Sequence, residues 1–336
     1  MLKEDVHPGD IPAHVDDFLD ILAGPTILSV WGQDRSRVRV VAGTLHGNEP
    51  SGLRAIHRAL RKESRPATDT FFFVGAVDAA RAEPRFSHRY LPGRRDLNRC
   101  FRAPWDGPDG AVGRATLEAL CARSVELAVD LHNNTGRNPP YAIGGALDQV
   151  HLALSALFTK RFIHSDLKLG SFAEAMESHC PSVTIECGQA HDPRADEAAW
   201  FGLANLLRLK HLDTAGRGTE PMEVFSSPSR VELARGATLA FGSAPQPGAD
   251  LTLDPDVDRH NFQSLAPGTP IGFVREGRPW PVVVRDTCGT DRSQELFEID
   301  GRGRLLIRDT LVPIMMTTDP HAAANDCLFY AVRRYP

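Results

Sequence analysis

Residues 38–62 read VRVVAGTLHGNEPSGLRAIHRALRK. The apolar run VRVVAGTL (38–45) predicts a buried strand that feeds a loop at Gly43-Thr44. Leu53, Ile56 and Leu60 then recur at helical spacing, and Pro50 suits a first helical turn. Strand, short loop and helix in that order predict an α/β unit, with His46-Gly-Asn-Glu49 on the loop between them.

The pattern repeats outward. TFFFVGAV (70–77) reads as the next strand. A polar, Pro- and Arg-rich stretch from Asp78 to Asp109 follows, too long for a mere connection and therefore a candidate functional loop. A helix near 113–124 leads to the strand VELAVDLH (125–132), and YAIGG (141–145), RFIHS (161–165) and SVTIECG (182–188) are further strands. ADEAAWFGLANLLRLKHL (195–212) is an amphipathic helix with Trp200, Leu203 and Leu207 on one side. Such alternation describes an α/β sheet covered by helices on both faces. TAGRGTEP (214–221) reads as a linker, after which short β-type runs follow: ATLAFG, TPIGFV, WPVVVRD, ELFEID and GRLLIRD. The expectation is a catalytic domain over 1–221 and a smaller β-rich domain over 222–336.

Composition narrows the function. The net charge of −5 offers no basic footprint for nucleic acid or an anionic membrane. No stretch approaches the roughly 20 apolar residues of a membrane span, and the charged start MLKEDVHPGD is unlike a signal peptide. The six cysteines, scattered and without a C-x-x-C pair, argue against a disulfide framework or a cysteine-built zinc site. A cytoplasmic enzyme with reduced thiols is the expectation.

Three features stand at the C-terminal ends of expected strands, where ligands gather in open α/β sheets. His46 and Glu49, three residues apart on a curling loop, can converge on one cation through imidazole nitrogen and carboxylate oxygen. Alternation puts Asp130 and His132 on one face of their strand, so His132 can ligate while Asp130 braces a neighbour. Two histidines and a glutamate leave a coordination position for water, the pattern of a catalytic zinc site. Glu186 ends the apolar strand SVTIECG, where a carboxylate is costly to bury without a task. Beside a zinc-bound water, whose pKa falls to about 7, it would serve as general base and pass the proton to a departing amine. In the intervening loop, Arg99 beside Asn98 suits a substrate carboxylate, and Arg89 suits a developing oxyanion. Cys187 should point away from the Glu186 side by strand alternation.

Together these segments resemble the succinylglutamate desuccinylase/aspartoacylase family, a branch of the zinc-carboxypeptidase fold. The matching pieces are GTLHGNEPSG (43–52), Arg89-Tyr90 with DLNRCF (96–101), VDLHNNTG (129–136), TIECGQ (184–189) and, in the β domain, DRHNFQSLAPGTPIGF (258–273). The resemblance implies a mixed β-sheet flanked by helices, plus the smaller C-terminal β domain. It implies one Zn2+ per chain held by His46, Glu49 and His132, with Glu186 as catalytic base and Arg89 as the active-site arginine. Asn98, Arg99 and Asn133 then fall among the substrate-binding residues. The implied reaction is hydrolysis of the linear amide of a small N-acyl amino acid. A metallocarboxypeptidase acting on short peptides and a non-catalytic metal- or ligand-binding protein are the alternatives. Oligomeric state, a homo-oligomer included, stays open.

Two departures bear on the substrate. Arg89-Tyr90 stands two residues farther from Asp96 than the family pattern, which leaves Arg94 and Arg95 as alternatives to Arg89. The stretch Glu174–His179 lacks the arginine that aspartoacylases carry before the catalytic glutamate, so N-acetylaspartate is not implied. Asn133-Asn134-Thr135 leans toward aspartoacylases, and the β-domain segment leans toward desuccinylases.

Overall fold

The computed structural model describes residues 2–212, 221–285 and 289–335. The linker expected at 214–221 lies outside the described residues except for Pro221, as do Asp286 and Cys288. The chain divides into two compact units, Met1–Asn133 with Pro140–Met222, and Asn134–Pro139 with Glu223–Pro336.

The strands of the first unit are β1 (Leu2–Lys3), β2 (Thr26–Val30), β3 (Asp34–Gly43), β4 (Thr68–Val74), β5 (Val125–Asn134), β6 (Tyr141–Gly144), β7 (Arg161–His164) and β8 (Ser182–Gln189). They lie in the order β1-β2-β4-β3-β5-β8-β6-β7. Strand β3 runs parallel to β4 and β5, whereas β2 opposes β4 and β8 opposes β6, so the sheet is mixed. The helices are α1 (Val15–Ile21), α2 (Pro50–Leu60), α3 (Val77–Arg81), α4 (Gly107–Cys121), α5 (Gln149–Ala156), α6 (Phe172–Met176) and α7 (Pro193–Arg208).

Alternation along the strands builds a core on each face. Val40, Ala42, Phe71, Phe73 and Ala128 pack on one side with Phe101 and Phe172. On the other side α2 buries Leu53, Ile56 and Leu60. There Gly52 comes so close to β3 that a Cβ on it would lie 3.1 Å from the Gly43 Cα. That close seat draws the start of α2, and the loop before it, down onto the strand ends.

Some boundaries differ from those expected. The Asp78–Asp109 loop holds most of α3, a 3-10 turn over Leu97–Arg99 and the start of α4. Helix α4 begins at Gly107, with Pro108 in its first turn, rather than near 113. On α7 the buried stripe is Ala195, Ala199, Gly202, Leu203 and Leu206, and Trp200 and Leu207 are half-buried. Trp200 lies instead under the Arg58 guanidinium, 4.3 Å from its centre.

The second unit contains β9 (Glu223–Leu233), β10 (Leu239–Phe241), β11 (Leu251–Leu253), β12 (Pro270–Val274), β13 (Val282–Arg285), β14 (Phe297–Ile299), β15 (Arg304–Ile307), β16 (Val312–Ile314) and β17 (Phe329–Arg334), with two short helices, α8 (Ser293–Leu296) and α9 (Pro320–Asn325). One sheet runs β10-β11-β12-β15-β14. In the other, β9 pairs antiparallel with both β13 and β17, and β17 with β16. Val231, Leu251, Ile271, Val284, Phe297 and Phe329 share its core. The short segment Asn134–Pro139 is bolted into this unit. Asn138 Oδ1 accepts from the Met315 N–H at 2.9 Å, and Asn261 Nδ2 donates to the carbonyls of Met316 (2.8 Å) and Arg137 (3.4 Å). Among the described residues, no helix is long and apolar enough to cross a membrane.

Candidate metal centre

The loop after β3 turns sharply at Thr44, a buried residue in the left-handed region at φ 55°. Such backbone in a non-glycine residue is uncommon and clusters at functional sites. It lifts His46 off the strand end, and Glu49, three residues on, becomes the N-cap residue of α2 with Pro50 behind it. His132 comes from the end of β5, two residues after Asp130.

These pieces meet. One ligand atom from each of His46, Glu49 and His132 lies within 4.8 Å of the others, and all three residues are buried. The Glu49 carboxylate spans the gap, with Oε1 2.7 Å from His46 Nδ1 and Oε2 2.6 Å from His132 Nδ1. The far side of each ring faces a carboxylate, Asp96 Oδ1 at 3.1 Å from His46 Nε2 and Asp130 Oδ2 at 2.8 Å from His132 Nε2. Both rings therefore present Nδ1 to the centre with Nε2–H held behind, the bracing that fixes tautomer and raises ligand basicity at metal sites. Among the described residues this is the one such cluster.

Electrostatics agree with that geometry. Burial by itself would raise the Glu49 carboxyl, but His46 and His132 outweigh it and hold the group well below the usual carboxylate range. Burial likewise opposes charge on His132, yet Asp130 and Glu49 lift its pKa well above the ordinary histidine value. Asp96 is buried enough to be raised, but His46, Arg89 and Arg99 hold it low. A proton and a divalent cation compete for the same Nδ1 lone pair, so surroundings that favour the first also favour the second. Two nitrogens and a carboxylate at this spacing fit a divalent ion.

The other expected residues are placed as follows. Glu186 is buried on β8, opposite Tyr141 of β6, in the strand that lies next to β5. Its neighbour Cys187 is buried, and burial pushes that thiol well above its ordinary pKa, which leaves it a poor nucleophile. The three arginines separate. Arg89 donates to Asp96 Oδ2 through Nη2 (2.9 Å) and Nε (3.1 Å), with Nη1 3.7 Å from Glu49 Oε1. Arg94 instead grips Asp109 at the start of α4 through Nη2 (2.7 Å) and Nε (3.0 Å). Arg95 donates to the Asp106 carbonyl. Only Arg89 of the three reaches the centre.

Asp96 caps the 3-10 turn by accepting from the Asn98 N–H at 2.9 Å. Asn98 Oδ1 accepts from the Phe172 N–H at 2.9 Å, which fixes the amide so that Nδ2 lies 3.1 Å from His132 Nε2. The same Nε2 is thus approached by Asp130 Oδ2 at 2.8 Å and by the Asn98 amide at 3.1 Å. Arg99 Nη1 donates to the Asn98 carbonyl at 2.9 Å. Asn133 is different. Its Oδ1 accepts from the Ser51 N–H (3.0 Å), and Nδ2 donates to Ser51 Oγ (3.0 Å) and the Gly188 carbonyl (3.2 Å). Both amide hydrogens are engaged inside the protein in this structure. Asp96 was not singled out from sequence as a brace for His46. Its only signal is its place at the head of DLNRCF.

Residues 34–210 match the family model for the succinylglutamate desuccinylase/aspartoacylase catalytic domain. No curated protein sequence matches the chain. Solved structures do. A succinylglutamate desuccinylase/aspartoacylase from Rhodobacter sphaeroides aligns at TM-score 0.61 and 16% identity, covering 92% of this chain and 88% of that one. Murine aminoacylase 3 aligns at 0.57 and 18%, covering 90% and 97%. A product-bound ectoine utilization protein from Ruegeria pomeroyi aligns at 0.55 and 17%, covering 92% and 84%. At these identities the structural likeness speaks for the fold.

Proposed function

The chain belongs to the succinylglutamate desuccinylase/aspartoacylase family, and from that premise we propose that it is a zinc-dependent hydrolase of a small N-acyl amino acid. The observation that carries the reading is the buried meeting of His46, Glu49 and His132, each histidine turned by a carboxylate so that Nδ1 faces inward. His46 Nδ1, His132 Nδ1 and the Glu49 carboxylate would hold the ion. A divalent ion held there would supply a water of pKa about 7 and Lewis acidity toward an acyl carbonyl.

The chain's own groups do the rest. Glu186 takes the proton of the attacking water and returns it to the departing amine, one carboxylate serving as base and then acid. Arg89, steered by Asp96, faces the acyl oxygen as negative charge gathers on it. Arg99 and the Nδ2 hydrogens of Asn98 hold the free carboxylate of the amino acid, which orients the scissile amide. Solved structures that share this fold include a desuccinylase and an aminoacylase, which supports an N-acyl amino acid as the substrate class.

The test is metal analysis of the purified protein, followed by amine release from acetyl, succinyl and formyl derivatives of acidic and basic amino acids. Short peptides with free C-termini are run in parallel. We expect about one zinc per chain, turnover of at least one acyl amino acid, loss of turnover with chelator and its return with added zinc. Protein that stays metal-free, or that prefers the peptides, refutes the assignment.

A further inference from the structure

The N-terminus of an α-helix leaves backbone N–H groups without helical partners, and the side chain of the N-cap residue ordinarily takes one of them. In α2 that residue is Glu49, which makes no such bond. Both of its carboxylate oxygens are occupied by His46 and His132. A residue pledged to the centre cannot also cap the helix it begins.

The missing acceptor comes from β5. Asn133 Oδ1 takes the Ser51 N–H at 3.0 Å, the first N–H the helix has to offer, since Pro50 has none. The same side chain donates one amide hydrogen back to Ser51 Oγ and the other to the Gly188 carbonyl, two residues beyond Glu186. Its backbone N–H donates to Glu49 Oε2 at 3.2 Å. Ser51 is held in turn from α7, donating through Oγ to Asp196 Oδ1 at 2.6 Å, and Arg54 Nη1 secures the other Asp196 oxygen at 2.7 Å. Asn133 thus touches the segment that begins at Glu49 and the strand end that carries Glu186, and it adjoins His132 in sequence. Four hydrogen bonds from one buried residue leave it a single position.

We propose that Asn133 is a positioning residue of the metal centre. It caps α2 in place of Glu49 and thereby keeps both Glu49 oxygens directed at His46 and His132. Without it, the first free N–H groups of α2 compete for the Glu49 carboxylate and draw it off the ion. The inference rests on the reading that the centre binds zinc.

The experiment measures the zinc dissociation constant by competition with a chromophoric chelator, well below the unfolding temperature, with circular dichroism as the check of fold. Wild type, Asn133→Ala and Thr159→Val are compared. Thr159 is a buried residue of the same unit whose Oγ1 donates to the Pro140 carbonyl at 2.6 Å, so its loss reports stability alone. We expect Asn133→Ala to weaken zinc by about 10- to 100-fold, and Thr159→Val to lower the melting temperature with the constant unchanged. A folded Asn133→Ala protein with wild-type zinc affinity overturns the inference and leaves the deacylase reading intact. A wild type that holds no zinc removes the deacylase reading itself, and the inference with it. Should Asn133→Ala not fold, amide exchange in the wild type decides. The Ser51 N–H must be protected in metal-free and loaded protein alike, and rapid exchange at that amide overturns the capping role.

Discussion

At the scale of single residues, the centre is a carboxylate held between two imidazoles, each backed by a further carboxylate. Removal of one inner group and removal of the base should therefore have different signatures. His46→Ala should lose the metal, read directly by metal analysis. Glu186→Ala should keep it while turnover falls on the order of 10²–10⁴-fold. A Glu186→Ala enzyme with near-normal rate would remove the base assignment. The arginines give a second contrast. Arg89→Ala should lower kcat by about 10²–10³-fold, the usual loss for one oxyanion donor. Arg94→Ala should lower the melting temperature while kcat/KM stays within roughly threefold, because its partner is Asp109 at the start of α4 rather than a group of the centre. The sequence could group His46, Glu49 and His132, since ligand chemistry and strand alternation are local properties. It could not choose among Arg89, Arg94 and Arg95. That choice depends on which guanidinium Asp109 captures, and Asp109 is presented by a helix whose start was expected several residues later.

Elements carry their own consequences. Helix α4 lies so close to the loop bearing Asp96, Asn98 and Arg99 that a Cβ on Gly113 would collide with the Cys100 carbonyl. Gly113→Ala should therefore destabilise by about 1–3 kcal/mol. It should also raise KM more than it changes zinc content, measured by thermal melts alongside kinetics. Helix α5 has a titratable anchor. His151 Nδ1 lies 2.8 Å from Asp148 Oδ1, and its Nε2 lies 2.8 Å from Glu177 Oε1. Burial opposes the charged ring, but Glu177 and Asp148 prevail and raise its pKa. A raised folded-state pKa means this stabilisation is fully present below the unfolded value of about 6.5 and fades as pH rises through the folded one. The gap in melting temperature between wild type and His151→Gln should be widest near pH 5.5 and shrink by pH 9. An equal gap at both ends would remove the ion-pair account. Long apolar strands such as β3, β4, β5 and β8 were legible because burial on both faces leaves a continuous apolar run. Strands β9 and β11 were not singled out. Ser226, Ser227, Pro228 and Ser229 interrupt any apolar alternation inside β9, and three-residue β11 is too short to show a period.

At the scale of the whole molecule, binding and folding are linked. The three candidate ligands all belong to the unit Met1–Asn133 with Pro140–Met222. A ligand at 1,000 times its dissociation constant stabilises the folded form by about 4 kcal/mol. Chelation should therefore lower the calorimetric transition of that unit by several degrees and leave a transition of the other unit where it was. A chelator that moves neither transition would argue against a structural contribution from the ion. The two-part composition of the chain was visible in the change from strand–helix alternation to short β runs. The transfer of Asn134–Pro139 to the second part was not, because it depends on partners such as Asn261 and Met315, more than a hundred positions downstream.

That detour makes the chain hard to divide. Its path leaves one body just past His132, threads Asn134–Pro139 through another, and returns before β6 begins. A gene fusion or natural recombination at residue 222 would look clean on a linear map. It would nonetheless strip Asn138 and Arg137 of the Met315 and Asn261 groups they bind, at the exit of the strand that carries the candidate ligand His132. A cut that respects both bodies has to carry Asn134–Pro139 with Glu223–Pro336.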